Sequence, residues 1–454
     1  MTLPIPRRTG PAGPSRYESL GLRDLPFPTE PVIDPYNGDP RRNGSIYAES
    51  AARDAIEKFE RLLICPGDFR NRHRLAYLWA KGDRETGRGV GKSALLRYFM
   101  QRINRNWGES EFAGQFSACV IYVSFPSQVD RRYMEQLALS ALRDTLKSGV
   151  LESSRAALRL ENLTPDQSKA VLEHGGGAYE PGNLLDDSIL EMEGLDVEQL
   201  DESIADKLIT AGVERRSAYP LAKGEFGEFL RDFRKDRSLE PLYVPRDTKI
   251  LDYSRTLLFD DLVNYLRAAG FEGGYLFIDD IENLVDQMGR RDRIEFAKEF
   301  ALCTVRPGYA NTAYSFFSCV LTTHQQASVG LAQAWADAGL SGIARLDPGA
   351  PNSMELAFPT KDQAREIIIA HMDWYRIDQK DQGTISPFTE DGLNALLEDR
   401  ETVHPRMLLS RAAKVILHAV HEKTATIDAK CVADAAAASS VAPPDVTEGI
   451  DGAL

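Results

Sequence analysis

The chain has 454 residues, with 54 Lys plus Arg against 68 Asp plus Glu and a formal net charge of −14. That length exceeds one compact core, so two or three domains are expected, and the acidic balance argues against a protein coated in nucleic acid, although a local basic patch is compatible with it. Hydrophobic residues make up 43% of the chain, yet no run approaches the roughly 18 consecutive apolar residues of a membrane span, so no membrane association is expected.

Residues 1–45 are crowded with proline, from Pro4 to Pro40. Proline withholds backbone donors and fixes φ, which predicts an extended arm. Within it the segment Tyr17 to Phe27 either lays its apolar residues on the core of the protein or forms a mobile tail. Arg7 and Arg8 are followed by no apolar stretch, so the N-terminus does not read as a secretory signal. The five cysteines (Cys65, Cys119, Cys303, Cys319, Cys431) form no C-x-x-C pair, which predicts buried free thiols and a cytoplasmic setting.

From Ile46 to Leu63 apolar residues recur at helical spacing, predicting one amphipathic helix. Leu75 to Ala80 then reads as a short buried strand. After it comes Glu85-Thr86-Gly87-Arg88-Gly89-Val90-Gly91-Lys92-Ser93, running into the helix-forming Ala94 to Met100. Alternating glycines let the backbone turn its N–H groups around an anion, and the new helix adds the positive end of its dipole. The stretch Gly87, Arg88, Gly89, Val90, Gly91, Lys92, Ser93 and Ala94 is therefore a candidate phosphate cradle for ATP. Lys92 would reach the β- and γ-phosphates and Ser93 would offer its hydroxyl to Mg²⁺. Thr86 stands where the full pattern has its leading glycine. The alternative is a glycine-rich turn ahead of an ordinary helix.

Ala118 to Val123 is a second apolar, β-branched strand. Residues 127–270 then hold 27 acidic and 19 basic side chains, and Glu173 to Asp206 carries eleven acids with no Lys or Arg. This acidic, largely helical insertion reads either as a surface for a basic protein or as a solvated, partly disordered loop. The strand Tyr275 to Ile278 delivers Asp279 and Asp280 at its carboxyl end, with Glu282 close behind. Downstream of a phosphate loop, Asp279 is a candidate for holding Mg²⁺, directly or through water, and Asp280 or Glu282 for polarising the attacking water.

Phe316 to Leu321 is a further strand, ending in Thr322-Thr323-His324, where a polar side chain such as Thr323 would contact the γ-phosphate or the attacking water, the alternative being a strand that merely runs into a loop. Residues 343–346 and 354–358 suggest a last strand and its approach. Helices follow: one opened by a capping box at Thr360 to Gln363, one capped by Thr389, and one started by His404-Pro405-Arg406 with Met407, Leu408, Ala412, Val415 and Ile416 on its buried face. Asp428 begins a short last helix, and the tail from Ser439 is expected to be disordered.

The phosphate loop, the acidic strand end at Asp279-Asp280, the polar strand end at Thr322 to His324 and His404-Pro405-Arg406 in a helical lid resemble the AAA+ ATPases. The likeness spans residues 46–437 and lies with the branch of origin-recognition initiators and transposition regulators. It implies an α/β P-loop NTPase core with a parallel sheet in residues 46–126 and 271–359, a helical insertion in 127–270 and an all-helical lid in 360–438. It also implies that Thr323 is the sensor 1 residue, that Arg406 reaches from the lid to the γ-phosphate, and that a neighbouring subunit donates an arginine, for which Arg345 is the candidate and Arg306 the competitor. A homo-oligomer acting on DNA or on a DNA-bound protein follows, with Arg290-Arg291-Asp292-Arg293 as the candidate basic contact. Asp-Asp together with Thr-Thr also resembles the STAND signalling ATPases, in which an arginine would usually stand at His324. That likeness implies a nucleotide switch gating a protein–protein interaction.

Overall fold

The computed structural model describes residues 15–29, 38–64, 73–80, 89–124, 133–227, 253–283, 288–305, 316–398 and 403–440. Gly87, Arg88, Arg306 and the tail from residue 441 lie outside the described residues. Five strands form one all-parallel sheet: β1 (Leu75–Ala80), β2 (Ala118–Ser124), β3 (Gly273–Asp279), β4 (Phe317–His324) and β5 (Ser353–Leu356). Their order across the sheet is β2-β3-β4-β1-β5. Such strands are covered on both faces, which is why they read as unbroken apolar runs rather than alternating ones; every residue of β1, β3 and β4 is buried.

Around the sheet and beyond it, in chain order, lie α1 (Pro40–Asn43), α2 (Arg53–Phe59), α3 (Lys92–Asn106), α4 (Tyr133–Lys147), α5 (Val150–Asn162), α6 (Pro165–Leu172), α7 (Asp187–Met192), α8 (Val197–Thr210), α9 (Arg215–Lys223), α10 (Tyr253–Ala268), α11 (Arg290–Phe300), α12 (Gln325–Asp337), α13 (Lys361–Tyr375), α14 (Glu390–Leu397), α15 (Pro405–His421) and α16 (Ala429–Ser440). Among the described residues no helix is long and apolar enough to cross a membrane. The single helix expected from Ile46 to Leu63 is instead a 3-10 turn at Ser50–Ala52, then α2, then a π turn at Glu60–Ile64.

The chain divides into two compact units, one of residues 55–88 and 99–356 and one of residues 1–54, 89–98 and 357–454. The first holds the sheet. Register aligns the carboxyl ends of its central strands: Trp79 with Thr323, Ala80 with His324, Ile278 with Leu321, and Ser124 with Asp279. In open α/β sheets that edge is where ligands bind. The outer edge of β2 is closed by side chains. The Asn104 amide accepts from the Val120 N–H at 2.7 Å and donates to the Val120 carbonyl at 2.9 Å, while Asp144 on α4 accepts from the Tyr122 N–H at 2.7 Å. An edge strand left bare would be a template for pairing with another chain.

The described helices of the insertion share one continuous apolar core with the sheet, from Ile121 and Leu276 to Leu158, Leu190 and Ile204. Inside them Arg159, fully buried, is gripped by Asp201 at 2.9 Å and Asp187 at 2.8 Å, and Arg155 donates to the Ala222 carbonyl. Two acids of the lysine-free stretch thus hold α5, α7, α8 and α9 together, whereas Glu180, Glu191, Glu198 and Glu202 are exposed. The stretch is helical where a partly disordered loop was the alternative.

In the second unit α13 to α16 enclose a core that includes Tyr17, Leu20, Leu22, Leu25 and Phe27. The N-terminal segment is therefore part of the helical unit and neither a mobile tail nor a simple extended arm. Leu22 forms an antiparallel bridge with Arg376, and the Arg23 N–H donates to the Tyr375 carbonyl at 2.8 Å. Both capping residues behave as read: Thr360 forms a reciprocal box with Gln363, and the Thr389 hydroxyl accepts from the Gly392 N–H. Met407 departs from its expected place on the buried face of α15, being 48% exposed.

Candidate functional site

The glycines that close the candidate cradle need the conformation only glycine adopts readily. Gly89 has φ of 78° and Gly91 of 112°, both in the region where a Cβ is strained. The Gly91 carbonyl then accepts from the Leu95 N–H at 2.9 Å, starting α3. Lys92 is buried, Ser93 and Ala94 sit in the first turn, and no acidic residue stands there. A helix start leaves its first N–H groups pointing outward along a positive dipole end, so this turn suits an anion.

Gly89 also meets the start of α15 within the same unit. A Cβ built on Gly89 would lie 2.4 Å from His404 Cε1 and 3.0 Å from Arg406 Cβ. Pro405 occupies the first helical position, and this helix too has no acid in its first turn. His404 packs against the Phe358 ring at 5.4 Å. Arg406 is exposed and rises from the residue pair that touches the loop. Sequence reasoning missed the segment on the other side of α3: Gly44, with φ of 84°, faces Arg97, and Tyr47 stacks on Tyr98 with centroids 4.7 Å apart. Its signal was the Asn43-Gly44 pair, which marks a turn with positive φ.

In the sheet unit three donors converge on Asp279. Thr322 Oγ1 donates to Oδ1 at 2.5 Å, the Asp280 N–H donates to Oδ1 at 3.1 Å, and the Tyr122 hydroxyl donates to Oδ2. Asp279 is 3% exposed and Thr322 fully buried. Asp280 leaves the strand with φ of 58°, which aims its N–H at both Asp279 and Thr322 Oγ1, the latter at 2.9 Å. Short polar residues tolerate that conformation best. Asp280 is half-buried, while Glu282 is buried.

The polar contact to Asp279 from β4 is thus Thr322. Strand alternation puts Thr323 on the opposite face, where its hydroxyl lies 3.4 Å from the His324 carbonyl. His324 caps α12, its Nδ1 accepting from the Ala327 N–H. Tyr122 was also missed. A tyrosine in an apolar strand needs a partner for its hydroxyl, and its place two residues before the register mate of Asp279 is the cue.

Arg345 is exposed and pairs with Asp347 at 3.1 Å. Of the basic run, Arg290 and Arg291 are exposed, and Arg291 pairs with Glu295. Arg293 instead ties the start of α11 to α12 through the Met288 and Gly330 carbonyls. Among the described residues no three His, Cys, Asp or Glu side chains gather to hold a metal by themselves. Comparison with family models, curated proteins and solved structures returned no match.

Proposed function

We propose that the chain is an ATP-binding and ATP-hydrolysing AAA+ ATPase of cytoplasmic setting, whose nucleotide state drives lid movement or self-assembly on DNA or a DNA-bound complex. The observation that carries the reading is the junction of the glycine loop with the start of α15. Gly89 can bear no side chain there, and the two helix starts it joins carry no acid in their first turns. Such a junction suits a polyphosphate, and the lid residue Arg406 follows within it.

The residues fit ATP with Mg²⁺. In the sheet unit Asp279 offers a buried carboxylate, and among the described residues no three His, Cys, Asp or Glu side chains form a closed cage, the usual arrangement when phosphates and waters complete an octahedral ion. Bound Mg²⁺ would neutralise charge on the phosphate oxygens. The backbone N–H groups of Gly89 to Ser93 would hold the phosphates, and Lys92 would balance the charge that builds on them during in-line attack. Asp280 would orient the attacking water, with Glu282 as its alternate. Arg406 would contact the γ-phosphate from the lid, and Arg345, released from Asp347, would serve a neighbouring subunit.

Sizing by light scattering with ADP, with a non-hydrolysable ATP analogue, and with each plus DNA tests the reading. Assembly driven by the ATP analogue and responsive to DNA supports it. Turnover indifferent to DNA, with no DNA retention at low salt, removes the DNA-associated form. The exposed acids of the insertion offer a face to a basic protein partner. A second reading, a STAND-like switch, draws on the contact between Thr322 and Asp279 and expects a monomer locked with ADP.

A further inference from the structure

We propose that Thr322 sets the metal preference of this site, by occupying, together with the Asp280 N–H, the Oδ1 lone pairs with which Asp279 would otherwise chelate a large cation. The inference rests on the ATPase reading above. A carboxylate has about four lone-pair positions, two on each oxygen. In Asp279, Oδ1 accepts from both the Thr322 hydroxyl and the Asp280 N–H, and Oδ2 accepts from the Tyr122 hydroxyl. One position is left, on Oδ2.

Bidentate coordination needs a position on each oxygen, so Asp279 is confined to a single contact, made directly or through water. Mg²⁺ demands compact octahedral geometry and keeps several waters, so one contact satisfies it. Ca²⁺ takes more oxygen ligands at longer range and often draws on both carboxylate oxygens. To chelate Ca²⁺, Asp279 would have to release a donor on Oδ1. Thr322 is fully buried, so its released hydroxyl would find no water in exchange, and that loss falls on the larger cation alone. Three strands supply the parts. Ser124 of β2 is in register with Asp279 of β3, and Ile278 of β3 with Leu321 of β4, which fixes all three side chains along one edge.

The test uses the full-length chain and a fluorescent ATP analogue, with equilibrium affinity measured in Mg²⁺, in Ca²⁺ and in EDTA. Each metal affinity is referred to the EDTA value of the same variant. Thr322→Val removes a donor from Oδ1; Tyr122→Phe keeps the ring and removes the donor from Oδ2, where a position is already open, and is the control. The expected result is that Thr322→Val lowers the Mg²⁺-over-Ca²⁺ preference by about fivefold or more, through tighter binding in Ca²⁺, while Tyr122→Phe leaves the preference unchanged. An unchanged preference in folded Thr322→Val, or an equal fall in Tyr122→Phe, overturns the inference and leaves the Thr322 hydroxyl as a tie between strands. Should Thr322→Val fail to fold, Thr322→Ala decides in its place. Absence of nucleotide binding by the wild-type chain in every metal is a failure of the ATPase reading itself, and so is distinguishable.

Discussion

Gly89 and His404 approach so closely that a single added methyl group at position 89 would sit 2.4 Å from His404 Cε1. Gly89 and the residue before α15 are therefore fitted to one another. Gly89→Ala carries two penalties, the strain of a left-handed φ, about 1–2 kcal/mol, and the collision. His404→Ala relieves only the second. Thermal denaturation of the two single variants and the double variant should show the double recovering part, but not all, of the Gly89→Ala loss. Gly91→Ala, where nothing lies within 4 Å, should show strain alone.

Closure of the outer edge of β2 depends on Asn104. Asn104→Ala leaves the N–H and carbonyl of Val120 without their side-chain partner, at a cost of about 1–3 kcal/mol. Urea denaturation should show a lowered midpoint, and light scattering should show more self-association through the bared edge.

Asp144 guards the next position on that edge. Burial pushes its carboxyl well above the usual range, against the Tyr122 N–H and Lys147, which pull it down. The folded chain then binds a proton more tightly than the unfolded chain, so stability falls as pH rises above 3.8 and through the folded pKa. Asp144→Asn keeps an acceptor for the Tyr122 N–H and carries no charge. Its stability relative to wild type should rise with pH over that range, measured by chemical denaturation at a series of pH values.

The N-terminal segment is anchored to the helical unit through a neutral histidine. His371 lies 3.2 Å from the Pro26 carbonyl, its Nδ1–H donating, and beside the Phe27 ring. Burial lowers its pKa from 6.5 to about 4, with Arg41 lowering it further and the Pro26 carbonyl and Asp39 raising it. The unfolded chain binds the extra proton between these values, so the contribution is complete above pH 6.5 and is lost as pH falls to about 4. Protease cleavage within residues 15–29 should accelerate over that window, and His371→Gln should flatten the dependence.

The strands were legible in the sequence because a parallel sheet buries both faces, so Leu75 to Ala80 and Tyr275 to Ile278 announce themselves as short apolar runs bounded by polar residues. The helix starts at Thr360, Thr389 and Pro405 were legible because capping is local chemistry. What depends on register was not. Two adjacent threonines are equivalent in sequence, and only the pairing of β3 with β4 decides that Thr322 faces Asp279. Tyr17 to Phe27 carried apolar residues without regular period, so nothing local named the helices that cover them. In the insertion, charge counting could not reveal that Asp187 and Asp201 are spent on buried arginines.

The most direct test of the whole account is the affinity of the full-length chain for a fluorescent ATP analogue in Mg²⁺, compared with that of Lys92→Ala. The account predicts saturable binding by the wild-type chain and a loss of at least about tenfold in the variant, as befits removal of a buried cation from a phosphate site. Equal affinity in both, or no binding by the wild-type chain, would contradict it.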